Sequence, residues 1–381
     1  MPRNGQFDDE LASELAADSA LPGQSITMLR RTILLFLALV SLAYLIDAQQ
    51  QRSKRSRRSS HHRRVTRKPL KPPVTSFVTD SGGRELIIRL LDIGQGDATY
   101  IRNGSSKVII DGGPDTAAFG RYLDSLKLNN STIDVVILSH QHLDHYSGLR
   151  ELFKTSRHIR VLYFFENKDP APAVTLAELR DSILSRMDRD SLIYRDTDDP
   201  CTNGRPICTI TMNGGAKLHI MAPLPMGDGP NNRSTAVKLI GPDSGSFTMW
   251  LVGDAEREEI AWFETTGYNR NPGMLVNVLK ADHHGSCNGV TPRYLALTSP
   301  QWAVASVGER NDYGHMHTQA KKIYRAAGVP WYRTDQNGTI TIRSPGTVGG
   351  GFTITPQSGG TDLDGPSDRV SHQEGCATGM R

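Results

Sequence analysis

Ser139-His-Gln-His-Leu-Asp-His-Tyr-Ser-Gly148 packs three histidines and an aspartate into six positions, from His140 to His145. A buried imidazole must find partners for two nitrogens, so packing alone gives no reason for such density. Metal coordination does. The spacing H-x-H-x-D-H lets one short loop offer two nitrogens, then a carboxylate oxygen, then a third nitrogen. Such a set serves two adjacent cations, with His140 and His142 on one and Asp144 and His145 on the other. The preceding Asp134-Val-Val-Ile-Leu-Ser139 has the pattern of a buried strand and ends where the donors begin. A strand end opening into a polar loop is where α/β folds hold their chemistry.

Two further apolar runs supply what the loop lacks. Phe247 to Val252 ends at Gly253-Asp254, and Met274 to Leu279 runs into Lys280-Ala-Asp-His-His-Gly-Ser286. Asp254 has two oxygens with which to bridge a cation pair, and one of His283 or His284 completes the second cation's shell. Of this tandem pair we expect His284 to bind metal and His283 to face substrate as a proton donor. Asp144 is expected both to ligate and to orient the attacking hydroxide. Val108-Ile-Ile-Asp111-Gly-Gly113 ends another strand, and Asp111 suits the role of acceptor for a ligand histidine's free N–H. Lys280 is expected to add positive charge for a phosphate. Glu256 is expected to bind a substrate cation, although an acid there also suits the start of a helix.

Taken in order, these segments resemble the metallo-β-lactamase superfamily, and more narrowly the metallo-β-lactamase domain of ComEC-type DNA-internalisation competence proteins. The narrower likeness rests on Leu91-Asp-Ile-Gly-Gln-Gly-Asp-Ala98, Ile110-Asp-Gly-Gly113, Leu138-Ser-His-Gln-His-Leu-Asp-His145 and Val252-Gly-Asp254. It continues through Leu279-Lys-Ala-Asp-His-His-Gly-Ser286, Ser306-Val-Gly-Glu-Arg-Asn-Asp-Tyr-Gly-His315 and Tyr332-Arg-Thr-Asp-Gln-Asn-Gly338. The resemblance implies an α/β fold, a four-layered αββα sandwich, with two Zn2+ or Mn2+ ions at one edge. Two departures stand out. Where the superfamily usually has a further histidine ligand, only His158 and His219 lie in the interval, and neither sits in a motif. Asn231-Asn-Arg-Ser234 resembles the N-x-x-S of this subgroup instead. Asn231 and Ser234 are therefore expected near substrate, and the metal on that side is expected to bind weakly. The second departure is Gly314-His-Met-His317, where the family usually has proline between the histidines. His315 remains the expected catalytic contact, with His317 beside it.

Strands are expected near 86–92, 97–102, 107–111, 134–138, 159–165, 217–222, 235–240, 247–252, 275–280, 302–306 and 338–343. Helices are expected near 116–127, 146–154, 174–187, 256–264, 292–298 and 317–327. Hydrophobic content is only 37% overall, but the deficit lies at the chain ends, so residues 77–356 can bury a sizeable core as the hydrolase domain. Around it we expect an acidic disordered lead (1–27), a signal peptide or single membrane anchor (28–48), a basic linker (49–76) and a disordered tail (357–381).

Residues 33–46 are apolar and free of charge, short for a span of about twenty residues. With Arg30-Arg31 before them they also have the order of a signal peptide, the default reading if Met28 were the start. The linker holds ten basic residues and no acid, whereas residues 77–381 sum to −3. Anionic lipid or another polyanion is thus a partner for the linker, with the membrane reached through residues 29–48. The catalytic domain has no nucleic-acid footprint in its composition. By the positive-inside rule the linker charge favours the cytoplasm. Cys201 and Cys208 flank a short Pro/Gly loop and would close a small ring, which favours an oxidising, extracytoplasmic compartment. Cys287 reads as a packed thiol.

A water held between two cations is acidified, to a pKa near roughly 7 on zinc, and presents hydroxide as nucleophile. The expected function is a metal-dependent hydrolase of phosphodiester bonds, on nucleic acid or a phosphorylated polymer. An ester, lactone or β-lactam hydrolase is a second reading, and a membrane-tethered, non-catalytic binding module a third. One apolar segment cannot form a DNA conduit, so DNA uptake by this chain alone is not expected.

Overall fold

The computed structural model describes residues 83–359, except 171–172, 244–245 and 310. The expected lead, anchor, linker and most of the tail lie outside the described residues. Strands β1 (Leu86–Leu90), β2 (Thr99–Asn103) and β3 (Ser106–Ile110) form an antiparallel meander. They are continued in parallel by β4 (Thr132–Ile137), β5 (Arg160–Glu166) and β6 (Ile193–Asp196). The second sheet repeats this plan. Strands β7 (Ile207–Thr211), β8 (Lys217–Met221), β9 (Ala236–Ile240) and β10 (Thr248–Leu251) run antiparallel. Then β11 (Val278–Lys280), β12 (Trp302–Ala305) and β13 (Trp331–Arg333) follow in parallel. The chain returns to the first sheet through β14 (Ile340–Ser344), paired with β1, and β15 (Thr353–Pro356). The spatial orders are β15-β14-β1-β2-β3-β4-β5-β6 and β13-β12-β11-β10-β9-β8-β7.

Parallel neighbours need crossovers, and helices supply most of them. Helix α1 (Thr116–Ser125) links β3 to β4, and α2 (Val174–Asp190) links β5 to β6. In the second sheet α3 (Arg257–Thr265), α4 (Pro292–Thr298) and α5 (Thr318–Ala326) serve the three parallel steps. The starts are written locally. Asp115 accepts from the N–H groups of Ala117 and Ala118, and Thr291 caps α4 ahead of Pro292. The helix expected at 146–154 is instead a single turn, Leu143–Tyr146, followed by a 3-10 segment, Ser147–Phe153. Close backbone contact explains the departure: a Cβ on Gly148 would lie 1.9 Å from the Gly112 carbonyl oxygen, so this stretch is pressed onto the loop after β3.

Strand alternation divides the core into layers. Val135 of β4 and Met249 of β10 point between the sheets, where they join Ile88, Ile101, Ile220 and Leu239. Their neighbours Val136 and Trp250 point outward. Val136 packs with Phe119, Leu149 and Leu179 under α1 and α2. Trp250 packs with Ile260, Phe263 and Tyr294 under α3 and α4, its ring 5.9 Å from Phe263 edge-on. The fold is therefore an αββα sandwich.

Among the described residues no helix is long and apolar enough to cross a membrane. Cys201 and Cys208 are bridged. Cys287 is buried, as expected.

Candidate metal centre

Parallel strands end at one edge, and both sheets bring their carboxyl ends to the same place. The first contributes the loops after β3 (Asp111) and β4 (His140–His145); the second contributes those after β10 (Asp254), β11 (Asp282–Ser286) and β12 (Ser306–His317). The two sets are stitched by the Thr235 N–H donating to the Ser139 carbonyl at 2.8 Å. Gly253 (φ +54°) sits in this seam, where a Cβ would lie 2.7 Å from the Ser139 side chain.

Four side chains converge here. One ligand atom each of Asp144, His145, Asp254 and His284 lies within 4.8 Å of all the others. The Nε2 atoms of His145 and His284 are each 3.2 Å from Asp254 Oδ2, and His284 Nε2 is 3.4 Å from Asp144 Oδ2. His145, Asp254 and His284 are at most 2% exposed. Both Nε2 atoms and Asp254 Oδ1 are buried without a hydrogen-bond partner. Polar atoms so buried are normally satisfied. Two imidazole nitrogens and two carboxylate oxygens form a donor set that suits a divalent ion such as zinc or manganese. The residues fit the metal that the sequence implies.

Each imidazole is aimed from behind. His145 Nδ1 lies 2.9 Å from Asp111 Oδ2. Asp111 is held in turn by the Ser139 N–H at 2.8 Å and the Ser139 hydroxyl at 2.7 Å. His284 Nδ1 faces the Ser306 carbonyl oxygen at 2.9 Å. Asp111, His283 and His284 all have left-handed backbone (φ 59°, 46° and 54°), a conformation non-glycine residues seldom adopt without a reason. In the tandem pair it turns His284 into the cluster while His283 Nδ1 faces Glu256 Oε1 at 3.1 Å.

The electrostatics match. Burial opposes charge on His145 and His284, yet Asp254 with other carboxylates raises both well above the ordinary imidazole range. Burial and the histidines compete over Asp254 and Asp144, and the histidines win: Asp254 lies well below the usual carboxylate range and Asp144 near about 2. A cation would take over the charge balance that these imidazoliums otherwise supply, displacing their protons.

His140 and His142 lie beside this cluster. His140 Nε2 is 3.0 Å from His142 Nδ1 and 3.9 Å from Asp254 Oδ2. Burial and the neighbouring His145 keep His140 far below its ordinary pKa; burial likewise lowers His142. Neutral imidazoles are the ligating form, but among the described residues no convergent group of three or more donors includes this pair. Ser234 is fully buried, and its hydroxyl accepts the Asp254 N–H at 3.2 Å. The Asn231 amide donates to Glu256 Oε1 at 2.7 Å, while its Oδ1 is buried without a hydrogen-bond partner. Glu256 contacts Asn231 and His283, and these bonds hold its pKa down against burial.

Lys280 is 2% exposed, and its ammonium lies 2.5 Å from Asp97 Oδ2 and donates to the Gly253 carbonyl at 3.1 Å. The charge pair props the floor of the site. Asp97, to which the sequence reading assigned no role, thus belongs to the centre, and with Asp111 and His145 it forms a second group of convergent donors. Burial would raise its pKa, but Lys280 and His284 bring it down to about 2. The signal was the last residue of Gly94-Gln-Gly-Asp97. Gln95 from the same loop donates to His315 Nδ1 at 3.2 Å and accepts the Gly308 N–H at 3.1 Å. His315 is 3% exposed, its ring centroid 5.3 Å from that of His283. Burial, then His284 and His283, push its pKa down to about 2, so it is neutral. His317 accepts the Cys287 N–H at 3.1 Å, a structural position at the start of α5.

Residues 91–163 match the family model of the metallo-beta-lactamase superfamily. Among curated proteins the chain is 29% identical over 147 residues to ComE operon protein 3 of Bacillus subtilis, covering 39% of this chain and 18% of that protein. It is 24% identical over 272 residues to competence protein ComA of Neisseria gonorrhoeae, covering 67% and 32%. The chain therefore spans less than a third of the length of these relatives. Among solved structures, the metallo-beta-lactamase fold protein YhfI of Bacillus subtilis aligns with a TM-score of 0.42 and 12% identity, covering 67% of this chain and 99% of that one. With its motifs in order on an αββα sandwich, the domain resembles the metallo-β-lactamase superfamily, whose family model residues 91–163 match, and is similar to the competence proteins.

Proposed function

We propose that this domain is a metal-dependent hydrolase of phosphodiester bonds. The observation that carries the reading is the convergence of Asp144, His145, Asp254 and His284, three of them nearly water-free, with orphaned atoms aimed at one point. A divalent cation held there supplies Lewis acidity, an acidified water and charge stabilisation. The chain's own residues do the rest. Asp111 fixes His145 with Nε2 toward the cluster. Glu256 faces His283 Nδ1, so His283 Nε2, 3.8 Å from Asp254 Oδ2, faces the centre; as an imidazolium, protonated on both nitrogens, the ring would pass its Nε2 proton to a leaving oxygen and remain neutral with Nδ1–H on Glu256. Gln95 donates to His315 Nδ1, which leaves Nε2–H free to bind a phosphoryl oxygen.

His140 and His142 are proposed to hold a second, more weakly bound ion, because Ser234 turns its hydroxyl to the backbone of Asp254 and adds no strong donor. The same observation favours the alternative of a binding module that carries only one ion. For location, the Cys201–Cys208 bridge supports an oxidising compartment. The apolar segment and basic linker are proposed to hold the domain at a membrane.

The test is metal content of the purified full chain, with turnover of bis(p-nitrophenyl) phosphate on the same sample. Zinc or manganese at one to two equivalents, with turnover abolished in His284→Ala, is expected. No turnover after either metal is restored would leave the binding-module reading.

A further inference from the structure

One large aromatic side chain at this edge is left out of every core. Tyr313 is 59% exposed. It joins none of the three apolar clusters, although its loop neighbours Val307 and Met316 lie in the one under α3 and α4. The exposure does not come from a loose loop. Asn311 Nδ2 donates to the carbonyls of Gly308 and His315 at 3.0 and 2.8 Å, and its Oδ1 accepts the His315 N–H at 2.8 Å. Gln95 clamps the same loop at Gly308 and His315, and His317 Nε2 bonds the Tyr313 carbonyl at 3.0 Å. The backbone that carries Tyr313 is pinned on both sides.

The ring has a defined pose. It lies within 20° of parallel to His315, with centroids 5.6 Å apart. His315 is in turn 5.8 Å from His284, whose Nε2 belongs to the donor cluster. One side of Tyr313 therefore rests on a ring beside the proposed metal, and the rest faces solvent. Across the loops, the first sheet contributes Leu143, 54% exposed, between His142 and Asp144. A lone exposed apolar residue means little. Here two lie in the very loops that carry the proposed ligands and phosphoryl contact, and one is a pre-positioned aromatic face. A phosphodiester in which the scissile phosphate carries a planar, apolar-faced substituent is the ligand this arrangement matches. Base–aromatic stacking is sequence-tolerant because every base offers a π-face.

We propose that Tyr313, backed by His315, is a stacking platform for a planar base next to the scissile phosphate. This rests on the phosphodiesterase reading of the same site and adds a specificity element to it. The test uses the full chain loaded with manganese and two fluorescein-labelled single strands of equal length, oligothymidylate and its base-free (abasic) counterpart, both with non-hydrolysable phosphorothioate links. Wild type and Tyr313→Phe are expected to bind oligothymidylate about tenfold more tightly than Tyr313→Ala does, with all three equal on the abasic strand. Equal binding of the two strands by wild type, or an equal loss on both in Tyr313→Ala, would overturn the proposal. Turnover of bis(p-nitrophenyl) phosphate is measured in parallel. Turnover without base preference removes the platform alone, whereas base preference without turnover removes the hydrolase reading alone.

Discussion

Asp97 and Lys280 show how much a single pair decides. Each is 2% exposed, and they face each other at 2.5 Å beneath the ligands. Removing one partner strands a buried charge, so Lys280→Met is expected to cost about 3–5 kcal/mol. Thermal unfolding would read this, and the double variant Asp97→Asn with Lys280→Met should recover part of the loss. Asp111 acts through another residue: it holds the tautomer of His145. Asp111→Asn is expected to weaken metal binding by about 10–100-fold, read by competition with a chromophoric chelator. Asp92 presents the opposite electrostatic case. Burial, with Asp335 and Glu309 nearby, raises its carboxyl to about 6. A carboxyl raised on folding contributes stability that is full below its ordinary pKa and lost as pH rises through the folded value. Asp92→Asn should accordingly leave stability unchanged near pH 4 and increase it by about 1–2 kcal/mol near pH 8, measured by urea denaturation.

At the scale of elements, the site depends on loops pressed together without room for side chains. Gly96 has φ +145°, and a Cβ there would lie 2.3 Å from the Asp144 carbonyl oxygen. Its neighbour Asp97 donates its N–H to that same oxygen at 3.2 Å. Gly96→Ala must therefore push the Asp144 turn away from Asp254 and His284. We expect a loss of about 1–3 kcal/mol in stability and a parallel loss of metal affinity, which a chelator titration resolves. The strands show which elements the sequence makes visible. Every strand buried on both sides was legible as an apolar run. The four that were missed, β6, β7, β13 and β15, are the four edges of the two sheets. Three of them bury little and show no continuous apolar pattern: β15 reads exposed and half-buried by turns, β6 is half-buried throughout and β7 is half-buried or exposed. The fourth, β13, buries Trp331 and Arg333 but is only three residues long.

For the whole molecule, the fold repeats one plan twice, an antiparallel half followed by a parallel half in each sheet, and so presents two sets of carboxyl ends at one edge. Because the donors come from both sheets, metal binding is coupled to folding of the entire sandwich. Saturating zinc or manganese should raise the unfolding temperature in wild type but not in His284→Ala. Binding should release protons, because His145 and His284 hold protons that the metal displaces, and affinity should rise with pH. Calorimetry in buffers of different ionisation enthalpy reads that release.

The sequence by itself determined the candidate donors, their order and the strands that bring them to one edge. The reason is local: H-x-H-x-D-H, Gly253-Asp254 and His283-His284 follow apolar runs directly, and periodicity writes itself into short windows. What each polar side chain faces was decided only by the tertiary structure. Ser234, Asn231, Glu256 and Lys280 stand in the expected motifs, yet all four turn toward the protein, onto Asp254, Glu256, His283 and Asp97. Spacing along a chain fixes which residues reach an edge. The partner that a buried charge or hydroxyl selects depends on groups brought in by the other sheet or by distant loops, and on the cost of leaving any of them unpaired.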